Sequence, residues 1–263
     1  MSKEGVTVAI PNWNHELLLS RGIASALAAV RALREEGGDG EVLIIDDASR
    51  DGSLPLLRQL ETQYYGAGLR VLALARNAGL AHARNLALTH RRYRHIVFLD
   101  ADNELIPKNT PCFWRAAQET SAAACYGNLL VRTITSQRAF FVYSNEPFQD
   151  RIFQNNYVDA LAMFDGDQLA DGGGYLPNAS PIEDHEQWLH LATNGRGVVF
   201  VPAVFGYYYL LPESMITDAG KAQAATSMVR RMYDQFEARA HLPMKTRHLR
   251  YHPAIGYLGT NWQ

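Results

Sequence analysis

The sequence predicts an α/β fold: a doubly wound, mostly parallel sheet with a small antiparallel or mixed addition and a C-terminal helical region. Strand-like and helix-like segments alternate through the first hundred residues, as they do in βαβ units with right-handed crossovers. Residues 42 to 45 are a short continuous apolar run of the kind that is buried on both faces of a parallel sheet. After residue 107 the alternation weakens, which predicts that the strands added there are not all parallel.

The first half of the chain predicts strands and helices in turn. Val6, Val8 and Ile10 alternate into Pro11 as a first strand, and Asn14 is predicted to cap the helix that follows. The later segments are predicted as a strand over residues 42 to 45, a helix over 53 to 65, a strand over 69 to 74, a helix over 78 to 89 and a strand over 95 to 99. Ligands of such sheets bind beyond the carboxyl ends of the strands, so polar groups there are the first candidates for a site.

The second half predicts the irregular part of the sheet and the helices that cover it. Its segments are a helix over residues 112 to 121, strands over 124 to 131 and 139 to 143, a helix over 184 to 193, a strand over 198 to 201 and a long amphipathic helix over 217 to 240. Residues 172 to 182 are rich in Gly and Pro and predict a loop, and such loops are often functional. We predict one domain over 1 to 216, with residues 217 to 263 packed on it or extending it.

Composition and charge restrict the class of protein. The 263 residues are 47% apolar and 20% charged, which is typical of a soluble globular chain with a substantial core. A net charge of -2 argues against a general nucleic-acid binder. The strand-like pattern starts near the first residue and no apolar run reaches the ~18 residues of a membrane span, so we expect a cytoplasmic protein. Cys112 and Cys125 are too few for a disulfide framework.

An acidic turn follows the last strand predicted in the first half. Asp100 and Asp102 flank Ala101, and Asn103 could add an amide oxygen. Mg²⁺ and Mn²⁺ prefer such oxygen ligands, usually one or two carboxylates completed by substrate phosphates and water. The alternative is an acidic turn that is merely solvated.

A second acidic turn lies at the same edge of the predicted sheet. Asp46 and Asp47 end the strand over 42 to 45, where a carboxylate can accept a hydrogen bond from a ribose hydroxyl or a nucleobase N–H. The alternative is an Asx turn with a helix N-cap from Asp51 or Ser53, and both interpretations can hold at once.

Two further elements complete the candidate site. Arg76 and Arg84 bracket a turn that leads into a helix N-terminus, an arrangement that suits phosphate, although either arginine could instead pair with a nearby Asp. Glu183 and Asp184 begin a helix, where the dipole keeps a carboxylate ionised and able to accept a proton from a hydroxyl; helix capping is the alternative. Together the elements predict a site for a nucleotide and a metal ion, with a carboxylate base from a distant segment.

Five segments in order resemble the motifs of the inverting glycosyltransferases of family 2, which have the Rossmann-like GT-A fold. The segments are residues 10 to 14, 44 to 53, 83 to 85, 100 to 102 and 183 to 189. The resemblance covers residues 5 to about 216 and implies a nucleotide-binding half, 1 to 107, and an acceptor-binding and catalytic half, 108 to 216. It also implies a nucleotide-diphosphate sugar donor (UDP, GDP or dTDP), Mn²⁺ or Mg²⁺, and inversion at the anomeric carbon.

The resemblance further implies roles for individual residues. Asp184 would be the general base for the acceptor hydroxyl, and Asp102 would ligate the metal, with Asp100 and Asn103 beside it. Nucleotide-sugar contacts would come from Pro11, Trp13, Asn14, Asp47, Arg76, Arg84, Asp100, Ala101 and Asp102. Contacts with the sugar or the acceptor would come from Asp159, Gly173, Gly174, Glu183 and His185. Residues 156 to 160 match the family's strand before the Gly-rich loop.

The chain also departs from the family's pattern. Tyr209 and Leu211 stand where many members carry Arg and His. Processive members carry a GlnXaaXaaArgTrp motif, which is absent, so we expect transfer of a single sugar to a glycan, lipid-linked or protein acceptor. Basic residues are in excess between 228 and 252, which predicts a solvated helix face and tail. The alternative is a patch for a phosphate-bearing acceptor or for acidic lipid headgroups at the inner face of a membrane. Two other functions stay open: a nucleotide-sugar-binding domain without turnover, and a nucleotidyltransferase.

Overall fold

The structure is a computed structural model that describes residues 2–135, 139, 141–153, 156–176, 183–211, 249–252 and 256–259. Its helices are α1 (Leu19–Glu35), α2 (Ser53–Tyr64), α3 (Leu80–His90), α4 (Thr110–Thr120), α5 (Gly166–Asp171) and α6 (Glu183–Thr193). Its strands are β1 (Lys3–Asn12), β2 (Gly40–Asp46), β3 (Leu69–Ala73), β4 (Tyr93–Phe98), β5 (Glu104–Leu105), β6 (Ala124–Thr133), β7 (Phe141–Tyr143), β8 (Met163–Asp165), β9 (Val198–Leu210), β10 (Leu249–His252) and β11 (Gly256–Gly259).

Nine of the described strands form one mixed sheet. Its order is β3-β2-β1-β4-β8-β6-β9-β5, with β7 paired to β6. β3, β2, β1 and β4 are parallel, whereas β8 is antiparallel to both β4 and β6. β9 runs parallel to β6 and antiparallel to β5, and β10 pairs with β11 in a separate two-stranded sheet. The parallel half and the mixed addition are therefore confirmed.

Helices cover both faces of this sheet. Alternate strand residues point to opposite faces, so Val8 and Val42 belong to one apolar core while Ala9 and Leu43 belong to the other. The first core is closed by α1, α2 and α4, and the second by α3, α5 and α6. This double covering explains why β2 is apolar throughout residues 42 to 45.

Two predicted features of the chain are wrong. Asn14 does not cap the first helix, because α1 begins at Leu19 and the side-chain oxygen of Asn14 instead accepts the N–H of Arg50 at 2.7 Å. Residues 156 to 160 are irregular, and the strand in this region is β8, which begins at Met163. The helix predicted over 217 to 240 lies outside the described residues.

Candidate active site

The carboxyl ends of the parallel strands meet at one edge of the sheet because β1 pairs with both β2 and β4. Asn12 of β1 lies opposite Asp46 of β2. The N–H of Leu99, directly after β4, donates to the carbonyl oxygen of Ala9 in β1. Side chains that follow these strands are therefore brought to the same edge, as the sequence predicts.

The carboxylates at the end of β2 are bound by the protein itself. Oδ1 of Asp46 accepts a hydrogen bond from Nδ2 of Asn12 at 2.8 Å. Oδ1 and Oδ2 of Asp47 accept the N–H groups of Ala78 and Gly79 at 2.7 and 2.8 Å. Both oxygens of Asp47 thus tie β2 to the turn before α3, and Asp47 is buried.

The loop after β2 contains the Asx-type contacts that the sequence offers as an alternative. Oδ2 of Asp46 accepts the N–H of Ser49 at 3.1 Å, and Oδ1 of Asp51 accepts the N–H of Ser53 at 3.0 Å. Ser53 is the first residue of α2, so Asp51 satisfies a free N–H group of that helix. The Asx turn is confirmed, but the N-cap position of α2 is Gly52, so the predicted cap from Asp51 or Ser53 is wrong.

The turn after β4 brings two carboxylates together. The N–H of Asn103 donates to the carbonyl oxygen of Asp100 at 2.9 Å and closes the turn. Burial, and then the charge of Asp100, raise the pKa of Asp102 to about 7. Arg21 of α1 donates to the main-chain oxygen of Asp102 at 2.9 Å. The buried amide oxygen of Asn103 accepts the N–H of Tyr209 at 3.0 Å, and its predicted metal contact stays a prediction.

Arg84 of α3 is enclosed next to this turn. Its Nη2 donates to Oδ1 of Asp100 at 3.0 Å and its Nη1 donates to Oε1 of Glu183 at 2.7 Å. Burial lowers the pKa of Arg84, but the charges of Asp100 and Glu183 outweigh burial and raise it above its ordinary value. Only 1% of the Arg84 side chain is exposed, and its predicted phosphate contact stays a prediction. Its alternative, pairing with a nearby Asp, is confirmed.

Helix α6 begins with the two predicted carboxylates. Oδ2 of Asp184 accepts Nδ2 of Asn156 at 3.0 Å, and Oδ1 accepts the N–H of His185 at 2.7 Å. The ring of His185 is buried, with Nε2 at 2.8 Å from the carbonyl oxygen of Ile152, and its predicted acceptor contact stays a prediction. Glu183 is also buried, and burial raises its pKa although its partner Arg84 acts in the opposite direction.

Asp159 joins the same cluster of carboxylates from the irregular segment before β8. Its Oδ1 accepts the N–H of Leu161 at 2.8 Å. Burial raises the pKa of Asp159 to about 8, and the charges of Asp100 and Asp184 contribute to the increase. This environment favours the protonated form of Asp159, and a protonated carboxyl can donate a hydrogen bond to a ligand.

Tyr208 of β9 belongs to this cluster although no sequence motif marks it. Burial raises the pKa of its hydroxyl well above the ordinary value, and the charges of Asp159, Asp102, Asp100 and Asp184 raise it further. The hydroxyl therefore lies within electrostatic reach of both the turn after β4 and the first turn of α6. Pairing of β9 with β5 brings it there, because β5 follows the turn directly.

Tyr209, which replaces a basic residue common in the family, lies between two arginines from other elements. The guanidinium of Arg21 packs over the ring of Tyr209 at 3.8 Å and pairs with Glu104 at 2.8 Å. Arg132 of β6 lies over the same ring at 4.7 Å, and the hydroxyl of Tyr209 donates to Glu104 at 2.5 Å. Arg21 of α1 and Arg132 of β6 thus supply positive charge beside Tyr209.

The other predicted site residues differ in exposure. Trp13 is 49% exposed after β1, and Arg76 is exposed between β3 and α3, so a ligand at this edge can reach both. Gly173 and Gly174 follow α5 with φ angles of 93° and 67°, a region that favours glycine. Among these remaining residues, Pro11 and Ala101 are buried.

Two absences apply to the described part of the chain. It contains no group of three or more His, Cys, Asp or Glu side chains that could hold a metal ion by itself. None of its helices has the length and apolar character needed to cross a bilayer.

Comparison with known proteins identifies the family. The sequence model described as glycosyl transferase family 2 matches residues 7–167, more than half of the chain. The chain belongs to glycosyl transferase family 2. This glycosyltransferase is 28% identical over 194 residues to "Putative teichuronic acid biosynthesis glycosyltransferase TuaG" of Bacillus subtilis, a match that covers 73% of this chain and 75% of TuaG.

Two solved structures share the fold of this glycosyltransferase. S. aureus TarS 1-349 in complex with UDP-GlcNAc has a TM-score of 0.71 at 18% identity, over 91% of this chain and 68% of that one. The mannosyltransferase PcManGT from Pyrobaculum calidifontis, in complex with GDP-Man and Mn²⁺, has a TM-score of 0.64 at 19% identity, over 97% of this chain and 68% of that one. The predicted GT-A fold is confirmed.

Proposed function

We propose that this glycosyltransferase moves one sugar from a nucleotide-diphosphate sugar to an acceptor hydroxyl, with inversion at the anomeric carbon and with Mn²⁺ or Mg²⁺ bound at Asp100 and Asp102. We further propose that it acts in the synthesis of a polysaccharide or glycolipid. The name of TuaG, a relative in teichuronic acid biosynthesis, supports the second part. The nucleotide sugars bound by TarS and PcManGT support the choice of donor class.

One observation carries the proposal: the buried guanidinium of Arg84 pairs both with Asp100 in the turn after β4 and with Glu183, the residue before Asp184, at the start of α6. Asp100 and Asp102 from the turn after β4, and Asp184 from α6, all act on the hydroxyl of Tyr208. An inverting displacement needs a leaving-group site and a base on opposite sides of one sugar carbon. The turn after β4 supplies a carboxylate pair for the leaving-group site, and α6 supplies the carboxylate of the base.

The residues present fit a divalent cation. Asp102 shares its surroundings with Asp100, and the raised pKa of Asp102 reports burial and repulsion that a bound cation would relieve. Two carboxylates are the usual protein contribution where substrate phosphates complete the shell of Mg²⁺ or Mn²⁺. A diphosphate would be repelled by the carboxylate of Asp102, and a cation held by these residues would reduce that repulsion. When bound, the cation would supply Lewis-acid stabilisation of the departing diphosphate.

Asp184 performs the proton transfer in this proposal. As the acceptor oxygen forms its bond to the anomeric carbon and the bond from that carbon to the diphosphate breaks, the hydroxyl proton passes to a carboxylate oxygen of Asp184. Asn156 holds Oδ2 of Asp184 at 3.0 Å and so fixes the orientation of the carboxylate. Protonated Asp159 and the hydroxyl of Tyr208 are placed to donate hydrogen bonds to the sugar or the diphosphate.

The experiment compares Asp184→Asn with the wild type. Thermal shift with UDP-GlcNAc, GDP-mannose and other nucleotide sugars in the presence of Mn²⁺ first identifies the donor, since a bound ligand raises the midpoint of unfolding. Asp184→Asn should lower sugar transfer by about 10²- to 10⁴-fold, because the base is lost, with the donor Kd within about twofold of the wild type. Glu119→Gln, an exposed change on α4, is the matched control.

Two results would contradict the proposal. Full transfer activity of Asp184→Asn would show that another group is the base. Tight binding of a nucleotide sugar by the wild type without release of the nucleoside diphosphate, for any acceptor fraction tried, would favour a binding domain without turnover.

A further inference from the structure

One residue of α3 holds the segment that leads into α6. Nδ2 of Asn85 donates to the carbonyl oxygen of Tyr175 at 2.7 Å, and Oδ1 of Asn85 accepts the N–H of Tyr175 at 2.8 Å. A side-chain amide that makes both contacts with one residue fixes its position and its orientation, as pairing between strands does. We call this pair of hydrogen bonds the Asn85 clamp.

Gly174 is needed for the close approach of the clamp. A Cβ at Gly174 would lie 2.5 Å from Oδ1 of Asn85, which is too short for any real contact. Gly173 also has a positive φ, yet a Cβ there would have no heavy atom within 4 Å. A side chain at Gly173 would therefore strain only the backbone, whereas a side chain at Gly174 would strain the backbone and also collide with Asn85.

Tyr175 in turn supports Arg84. Cζ of Arg84 lies 5.3 Å from the centroid of the Tyr175 ring, and the edge of that ring packs on Phe98 with centroids 5.3 Å apart. Arg84 pairs with Glu183 at the start of α6 and with Asp100. Adjacent residues of α3 thus hold Tyr175 and Glu183, at the two ends of the segment that enters α6.

We propose that Asn85 is a positioning residue: through Tyr175 and Arg84 it sets the place of Asp184 relative to the donor held at Asp100. This inference rests on the function proposed above. Asn85 makes no hydrogen bond with Asp100 or Asp184 among the described contacts, and we expect its main effect on the base, because Arg84 also holds Glu183 at the start of α6. A displacement of about 1 Å at a reacting group can cost about 10²-fold in rate.

The test begins with Asn85→Ala, and His90→Gln at the exposed end of the same helix is the control. Donor-binding stoichiometry gives the fraction of competent molecules, and kcat is expressed per competent molecule. Asn85→Ala should lower kcat by about 10- to 100-fold while the donor Kd stays within about twofold, and His90→Gln should change neither. Asn85→Asp, which keeps the size and one acceptor oxygen but loses the donor to Tyr175, replaces Asn85→Ala if the alanine variant does not fold.

The loop side of the clamp gives an independent measurement. Gly174→Ala should lower kcat more than Gly173→Ala, because both replacements strain the backbone but only the first displaces Asn85. In an Asn85→Ala background Gly174→Ala should add less than its single effect, since contacting residues are not additive. Equal losses for the two glycine variants, or full additivity with Asn85→Ala, would overturn the clamp.

Amide hydrogen exchange separates failure of the clamp from failure of the proposed function. The clamp predicts faster exchange of the Tyr175 amide and of the first turn of α6 in Asn85→Ala, whether or not a donor is known. Unchanged exchange, or a kcat within twofold of the wild type, would overturn the inference. Faster exchange in a protein that neither binds nor turns over nucleotide sugars would refute the proposed function alone.

Discussion

The strand ends after β2 and β4 each carry two aspartates, yet their carboxylates are bonded differently. Asp46 and Asp47 accept hydrogen bonds from neighbouring side chains and main-chain N–H groups, which join β2 to the segments around it. Asp100 pairs with the enclosed Arg84, and Asp102 has its main-chain oxygen, not its carboxylate, held by Arg21. The same residue type at the same edge therefore serves structure in one turn and is left for a ligand in the other.

This difference shows which property distinguishes a structural carboxylate from one available to bind. Both oxygens of Asp47 already accept main-chain N–H groups of the protein. Burial beside Asp100 instead raises the pKa of Asp102 to about 7, so its charged form lacks compensation. Spacing in the sequence does not distinguish the two turns, but their bonding does.

The largest expected effect belongs to Asp102→Asn. Because the replacement removes a proposed metal ligand, Mn²⁺-dependent release of the nucleoside diphosphate should fall by about 10³-fold or more. The midpoint of thermal unfolding should stay equal or rise, since a repelled, partly buried charge is removed. Retained turnover at saturating Mn²⁺ would contradict the assignment of Asp102.

An intermediate effect is expected for Asp47→Asn, and it lies mainly in stability. The amide cannot accept both N–H groups of Ala78 and Gly79, so the free energy of unfolding should fall by about 1 to 3 kcal/mol. The midpoint should then fall by about 2 to 10 °C, as measured by calorimetry. Loss of donor affinity by more than tenfold with no change in midpoint would instead make Asp47 a nucleotide contact, as the family resemblance implies.

The sequence predicted most of the architecture for a clear physical reason. Period-two and apolar patterns mark β1, β2 and β4, and helical spacing marks α1, so the parallel half follows from local signals. The strand predicted over residues 156 to 160 was wrong, because these residues are held by contacts distant in sequence, such as the hydrogen bond from Asn156 to Asp184. The register of β9 against β5, which places Tyr208, has no local signal.

The acidic residues of the candidate site could be predicted from the sequence, but the residues with which they pair could not. Asp100, Asp102 and Asp184 stand at element ends, where sequence patterns place ligand-binding groups. From the sequence, Arg84 was predicted to contact phosphate because it follows a turn that leads into a helix N-terminus. Only the tertiary structure shows that it is enclosed between Asp100 and Glu183. An arginine is costly to bury without partners, so the partners, and not the helix position, decide its role.

The smallest expected effect belongs to Arg76→Gln. Arg76 is exposed, so solvent screens its attraction for a diphosphate. The donor Kd should rise by about two- to fivefold at low salt and by less at high salt, with kcat unchanged. Titration calorimetry at two ionic strengths checks this, and a Kd that is unchanged at low salt would remove Arg76 from the donor site.

The most direct test of the difference between the two turns is the Mn²⁺ dependence of donor binding in three proteins: the wild type, Asp102→Asn and Asp47→Asn. Titration calorimetry with the identified nucleotide sugar, with Mn²⁺ and with a chelator, gives the ratio of the two Kd values for each protein. The ratio should be large for the wild type and for Asp47→Asn, and close to one for Asp102→Asn. A ratio that persists in Asp102→Asn and disappears in Asp47→Asn would contradict the account.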